Sequence, residues 1–184
     1  MVPGLIALGI VVLLILWFIA AYNGLVRLRN NVRNAWAQID VQLKRRHDLI
    51  PNLVEVVKDY MGYEQEVLQN VTKARSVAVA AQGPAAAAAA EAGLTRALAG
   101  LYAVMENYPE LKANQNVSQL QEELTSTENK IAFARQYYND SVMVYNTKTE
   151  VIPTNIIAGI AGFQKAEFFQ VPEEEKAVPK VNLR

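Results

Sequence analysis

From Val2 to Tyr22 the chain runs VPGLIALGIVVLLILWFIAAY without a charged residue. Beyond Gly24 its apolar positions instead recur three and four apart. The uncharged run would reach about 31 Å as a helix, close to the thickness of a hydrocarbon core, and so predicts a transmembrane helix. A cleaved secretory leader opens with positive charge and has a shorter apolar stretch. No Lys or Arg precedes this run, which favours a retained anchor. Leu13 and Leu14 lie within it, and Trp17, Phe18 and Tyr22 lie toward its exit, where amphipathic rings suit the interface. Arg27, Arg29 and Arg33 follow within reach of lipid headgroups. By the positive-inside rule the N-terminus is outside and the long remainder is cytoplasmic.

After Tyr22 no turn signal is strong enough to stop the helix, since Gly24 stands alone before LVRLRNNVRNAWAQIDVQLKRR, a run of helix-compatible residues. Leu25, Leu28, Val32, Ala35, Ile39 and Leu43 form one stripe with Trp36 beside it, a seam that must pack on other helices. Pro51 is expected to interrupt or restart this helix, with a hinge near Ile50, after which Leu53, Val56, Val57, Tyr60, Leu68 and Val71 resume the stripe. In QGPAAAAAAEAG, residues 82–93, Gly83 and Pro84 read as a stop followed by a start, and alanine is the best helix former; a disordered linker is the alternative. A third helix is predicted from about Pro84 to Glu106, with a break around Pro109 and an asparagine cap near Asn116. In the fourth, Val117, Leu124, Ile131, Tyr138 and Tyr145 fall seven apart, while Leu120, Thr127, Ala134 and Ser141 fill the alternate line with smaller residues. Pro153 ends it. The predicted fold is all-α: an N-terminal transmembrane helix continuing into a long antiparallel bundle of about four helices. Residues 1–24 are the anchor, 25–163 the cytoplasmic bundle and 164–184 an extended tail.

Charge and composition narrow the chemistry. The formal net charge is zero and the basic residues cluster, which gives a nucleic-acid partner little support. With no cysteine there is no disulfide framework, no thiolate zinc site and no lipoprotein anchor. His47, the single histidine, has only Lys44 and Pro51 on its own helix face and reads as solvated or interfacial. Lys44, Arg45 and Arg46 read as a solvated face or a subunit salt bridge, because a straight helix carries them about 30 Å from the membrane. The carboxylate-rich places, 64–66, 122–123 and 173–175, read as solvated helix faces. G-x-S-x-G, P-loop and H-E-x-x-H patterns are absent, and no serine or threonine has a histidine at helical spacing. No catalytic, metal or cofactor residue is predicted. IIAGIAGF, residues 156–163, is too short to span and reads as a buried bundle cap, a subunit contact or a membrane-touching tip.

The order of anchor, YNGLVRLRNNVRNAWAQIDVQLKRRHDLIPNLVEVVKDY, ENKIAFARQYYNDSVMVYN and IPTNIIAGIAGFQKAEFF resembles the bacterial LemA family over nearly the whole chain. The most specific pieces are QIDVQLKRRHDLIPNL at 38–53 and NKIAFARQYYND at 129–140, with Phe163, Phe168 and Phe169 as a weaker tail signature. The resemblance implies an N-terminal transmembrane helix, a cytoplasmic helical bundle and no established enzymatic activity. It also links loosely to a similar magnetosome membrane protein and to a zinc membrane protease often encoded nearby. Family members often carry histidine where this chain has Tyr63 before Glu64, and glycine where it has Asp59, which speaks against a metal or acid–base site in that turn.

Together these features predict a self-assembling scaffold of the bacterial inner membrane that organises or remodels the bilayer. Its warrant is the length of the seams Leu28, Val32, Trp36, Ile39, Leu43 and Leu124, Ile131, Tyr138, Tyr145, which exceeds what one compact bundle needs to cover. The alternative is an adaptor that binds another membrane protein such as a protease or sensor. Expected partners are the lipid bilayer, further copies of the chain, or that second membrane protein. Ile50 and Pro51 are read as a joint, so Pro51→Ala should alter assembly or helix direction and His47→Ala should change little.

Overall fold

A computed structural model describes residues 2–170 of the chain. Among the described residues there are six helices and no strand: α1 (Val2–Lys58), α2 (Gln65–Ala80), α3 (Pro84–Met105), α4 (Pro109–Ala113), α5 (Gln115–Glu150) and α6 (Thr154–Ile160). The predicted all-α class is what is found, with four long helices and two short ones of five and seven residues. Of the predicted tail, residues 164–170 are described and lie outside any helix. Its remainder, with the carboxylates at 173–175, lies outside the described residues.

Two expectations about breaks are corrected. The helix does not stop or restart at Ile50 and Pro51; it runs unbroken through both. It ends instead at Lys58, and the segment 59–64, which contains Gly62, separates it from α2. Leu53 and Leu68 therefore belong to different helices. Tyr60, assigned to the same stripe, is 38% exposed, whereas Met61 turns inward and is buried. Further along, the predicted bounds of the alanine-rich helix hold to one residue. Gly83 sits at φ +82, a left-handed conformation that a side chain would strain, and Pro84 opens α3 where its missing N–H costs nothing. The asparagine that caps α5 is Asn114, whose Oδ1 accepts from the backbone N–H groups of Asn116 and Val117 at 2.9 and 3.3 Å.

Contacts divide the described residues into two units, one of residues up to Ala37 with Tyr137–Glu167, the other of Gln38–Gln136 with 168–170. The larger unit has an aliphatic core supplied by Ile50, Leu53 and Val57 of α1, Leu68 and Val71 of α2, Leu94, Leu98 and Leu101 of α3, Leu111 of α4 and Val117 and Leu124 of α5. The smaller unit has a compact cluster of Leu25, Ile157 and Ala158, with Ala21 and Phe163 packed against it. Within it α1 and α5 run antiparallel, since Asn31 meets Ser141 and Trp36 meets Tyr138.

The heptad reading of α5 holds position by position: Val117, Leu124, Ile131, Tyr138 and Tyr145 are each buried to 5% exposure or less. On α1, Val32, Ile39 and Leu43 are buried, and Leu28 and Trp36 are half-buried. These seams are consumed inside one chain, so the surplus from which self-assembly was argued is not found there.

Candidate functional site

Glu91 is the one charged residue between Arg75 and Arg96. It lies on the alanine face of α3, among buried Ala87, Ala88 and Ala92, and is itself only 6% exposed. Short neighbours let other helices come close and keep water away from the carboxylate. Such a buried charge needs partners, and α1 supplies two in succession. Arg46 Nη1 donates to Glu91 Oε2 at 3.0 Å, and His47 Nε2 lies 2.6 Å from Glu91 Oε1. The second Arg46 nitrogen, Nη2, donates to Thr95 Oγ1 at 2.8 Å and pairs with Glu128 Oε2 at 3.1 Å.

This geometry overturns two sequence expectations. His47, at 8% exposure, is neither solvated nor at a subunit surface, and Arg46, at 4%, lies on no open basic face. Their partners come from α3 and α5, beyond the helix spacing on which the sequence reading relied. Lys44 and Arg45 do behave as surface groups, Arg45 lying 3.7 Å from Glu123. The signal available in the sequence was the isolated carboxylate within an alanine run, a residue type that is rarely buried without a counter-charge.

The main-chain carbonyl of His47 completes the arrangement. Pro51 has no N–H to give to the carbonyl four residues earlier, which leaves His47 O without its helical partner. Arg75 of α2 replaces that donor, its Nε reaching His47 O at 2.7 Å. The proline is therefore accommodated inside α1 by a side chain from another helix, and the break expected at Ile50 does not form.

Beside Arg46 is a cleft of about 320 Å³ edged by Thr95, Leu98, Tyr102, Leu124 and Glu128. Burial raises the Tyr102 hydroxyl above its ordinary value; Arg46 opposes this and Glu128 adds to it, so the group stays neutral there. Chemically the cluster is a set of paired charges with its carboxylate fully engaged. Among the described residues no three carboxylate or histidine groups converge to hold a metal. In the turn before α2, Tyr63 is 99% exposed, while Glu64 Oε1 accepts from Tyr108 Oη at 2.5 Å. That hydrogen bond, followed by burial, raises the Tyr108 hydroxyl.

A second candidate region is the start of α1. Residues 2–20 are exposed throughout, including Leu13, Leu14, Trp17 and Phe18, and this stretch is long and apolar enough to cross a membrane. Protein cover begins at Ala21. Leu25 is fully buried against Ile157 and Ala158 of α6. The Tyr22 ring meets Phe163 edge-on at 5.7 Å between centroids, and the Arg29 guanidinium lies 5.0 Å over the same ring. Arg29 is thus engaged with an aromatic face, while Arg27 and Arg33 remain exposed. After Phe163 the chain is held by side chains of α5. Tyr145 Oη donates to Gln164 O and Tyr138 Oη to Glu167 O, both at 2.7 Å. Asn146 pairs with both backbone groups of Ala166, each at 2.9 Å. Of the tail aromatics, Phe163 and Phe168 are half-buried and Phe169 is buried.

Residues 35–183 match the LemA family. The chain is 26% identical to magnetosome protein MamQ 2 of Paramagnetospirillum magneticum, over 87% of this chain and 68% of that protein. It is 25% identical to magnetosome protein MamQ of Magnetospirillum gryphiswaldense, over 91% of this chain and 72% of the relative. Protein LemA of Metamycoplasma hominis is 26% identical, over 86% and 73% respectively.

Proposed function

The chain belongs to the LemA family, a membrane-anchored helical protein, and on that premise we propose that it is a non-catalytic scaffold that self-assembles and organises the bacterial inner membrane. Arg27, Arg29 and Arg33, directly after the apolar run, favour an orientation with the N-terminus outside and the helices in the cytoplasm. The observation that carries self-assembly is a second, open face of α5. Phe133 is 74% exposed and Val144 49%, eleven residues or about three turns apart and so on one side of the helix, while the heptad seam is already covered. Large side chains left in water at this spacing fit a further copy of the chain. Two of these relatives are named magnetosome proteins, which supports a role in a cell structure.

The test is the mass of the protein extracted gently from its membrane, by native mass spectrometry. A multi-copy complex that dissociates in Phe133→Glu and Val144→Glu supports the scaffold; a monomer across several mild detergents rejects it. An adaptor is the second reading. It is favoured by a cleft of about 650 Å³ where Val54, Met61 and Leu68 form an apolar floor and Lys58 and Lys73 a charged rim, the form of a site for another protein.

A further inference from the structure

Between Glu150 and Lys165 the chain carries no charge, and those two residues at its ends form an ion pair with one another. The segment they bracket contains α6. One face of α6 is spoken for, since Ile157 and Ala158 pack on Leu25. The other is open: Ile156 is 59% exposed and Ile160 73%, four residues apart and so on one side of the helix, and Ile152 just before it is 82% exposed.

What covers these isoleucines follows from where α6 is docked. Leu25 lies three residues beyond Tyr22, about 4.5 Å along the helix axis, and Phe163 reaches back to the Tyr22 ring itself. The headgroup layer on each side of a bilayer is about 5–7 Å deep. A helix fixed beside Leu25 therefore lies at the depth of the headgroups, where a short apolar face can enter the acyl boundary. Exposed Arg27, two residues beyond Leu25 on α1, suits anionic headgroups.

We propose that Ile152, Ile156 and Ile160 form a second membrane contact, a neutral foot that enters the lipid surface beside the point where α1 leaves the bilayer. This rests on α1 being the membrane span. With one helix through the bilayer and a second contact at its rim, this end of the protein is held at two points and does not pivot on α1 alone.

The chain has no cysteine, so single cysteines can be introduced and spin-labelled in the full-length protein. The variants are Ile156→Cys and Ile160→Cys, with Leu13→Cys as a marker of the span and Tyr63→Cys as a marker of water. In vesicles of phosphatidylcholine and phosphatidylglycerol, relaxation by oxygen reports lipid and relaxation by a water-soluble nickel chelate reports solvent. The expected oxygen-to-nickel ratio at 156 and 160 is several-fold above that at 63 and approaches that at 13. Nickel access at 156 and 160 with Leu13→Cys in lipid overturns the foot and leaves the anchor standing. Shielding of both positions from both reagents overturns it in favour of a covering protein surface. Nickel access at 13 removes the anchor itself and the foot with it.

Discussion

The stretch of α1 up to Ala37 and the stretch that follows are fastened by different chemistry. In the smaller unit the buried fastening is mainly neutral, with the Glu150–Lys165 ion pair exposed at its surface and the Arg29 guanidinium on the Phe163 ring. An aliphatic cluster and aromatic edges meet at Leu25 and Tyr22, and the hydroxyls of Tyr138 and Tyr145 and the amide of Asn146 hold the chain after Phe163 by its backbone. In the larger unit the fastening is ionic, with Arg46 and His47 on one buried carboxylate inside an aliphatic core. The difference follows from what each unit must satisfy. A segment outside any helix leaves amides and carbonyls unpaired, and neutral donors and acceptors on a neighbouring helix are enough for them. A charge placed in a dry alanine face requires opposite charge of good geometry. The heptad of α5 changes with this demand, from Val117, Leu124 and Ile131 to Tyr138 and Tyr145, whose rings fill the seam while their hydroxyls reach the backbone.

The sharpest way to break the contrast is at Glu91. Its replacement by alanine leaves His47 Nε2 and Arg46 Nη1 without their buried partner, Arg46 keeping only Thr95 and Glu128 through Nη2, and a loss of about 3 kcal/mol is expected in chemical denaturation. Replacing Arg46, His47 and Glu91 together with leucine or methionine should leave stability nearly unchanged. If Glu91→Ala unfolds no earlier than the parent, the ionic fastening is not what holds this region. His47→Ala, which the sequence reading took as silent, should destabilise in the same assay.

Arg75→Met removes a charged donor from a carbonyl, with an expected loss of about 1.5–3 kcal/mol. The loss should shrink in a Pro51→Ala background, where residue 51 regains an N–H for the same carbonyl. A double-mutant cycle measures this coupling, and additive effects would mean that Arg75 acts elsewhere.

In the neutral unit, Tyr145→Phe or Tyr138→Phe should cost about 1 kcal/mol each and speed proteolytic cleavage near residues 164–167, while the ionic unit resists as before.

Alkaline pH gives the gentlest discrimination. Burial raises the hydroxyls of Tyr138 and Tyr145; Glu167 raises the first further, and Arg29 and Arg33 lower the second in part. A hydroxyl whose folded value is raised binds its proton more tightly when folded. Its contribution is complete below the unfolded tyrosine value of about pH 10 and is lost as pH rises from there through the folded value. Stability should therefore decline above about pH 10, tracked by tyrosinate absorbance and circular dichroism. The decline should weaken in the double phenylalanine variant.

Much of this was legible from residue spacing. The uncharged run at 2–22, the alanine helix after Pro84 and the heptads of α5 each state their structure locally. The burial of His47 was not, because its partner lies forty-four residues away on a helix whose composition resembles filler. The passage of α1 through Pro51 was also hidden. Local rules predict a break there, and a distant arginine removes the reason for it. The stop after Lys58 was masked by Tyr60 and Met61, which continue an apolar pattern past the end of the helix.

The bond from Arg75 to the carbonyl of His47 constrains the mutational path by which the sequence arose. A lineage that gained proline at 51 first would pass through an intermediate with an empty carbonyl inside its longest helix. A lineage that gained arginine at 75 first meets no such barrier, since the side chain has solvent to fall back on until the carbonyl is freed. The order arginine then proline is thus the accessible one. Once it is complete, reverting the arginine alone becomes the costly step, and the way back runs through loss of the proline first.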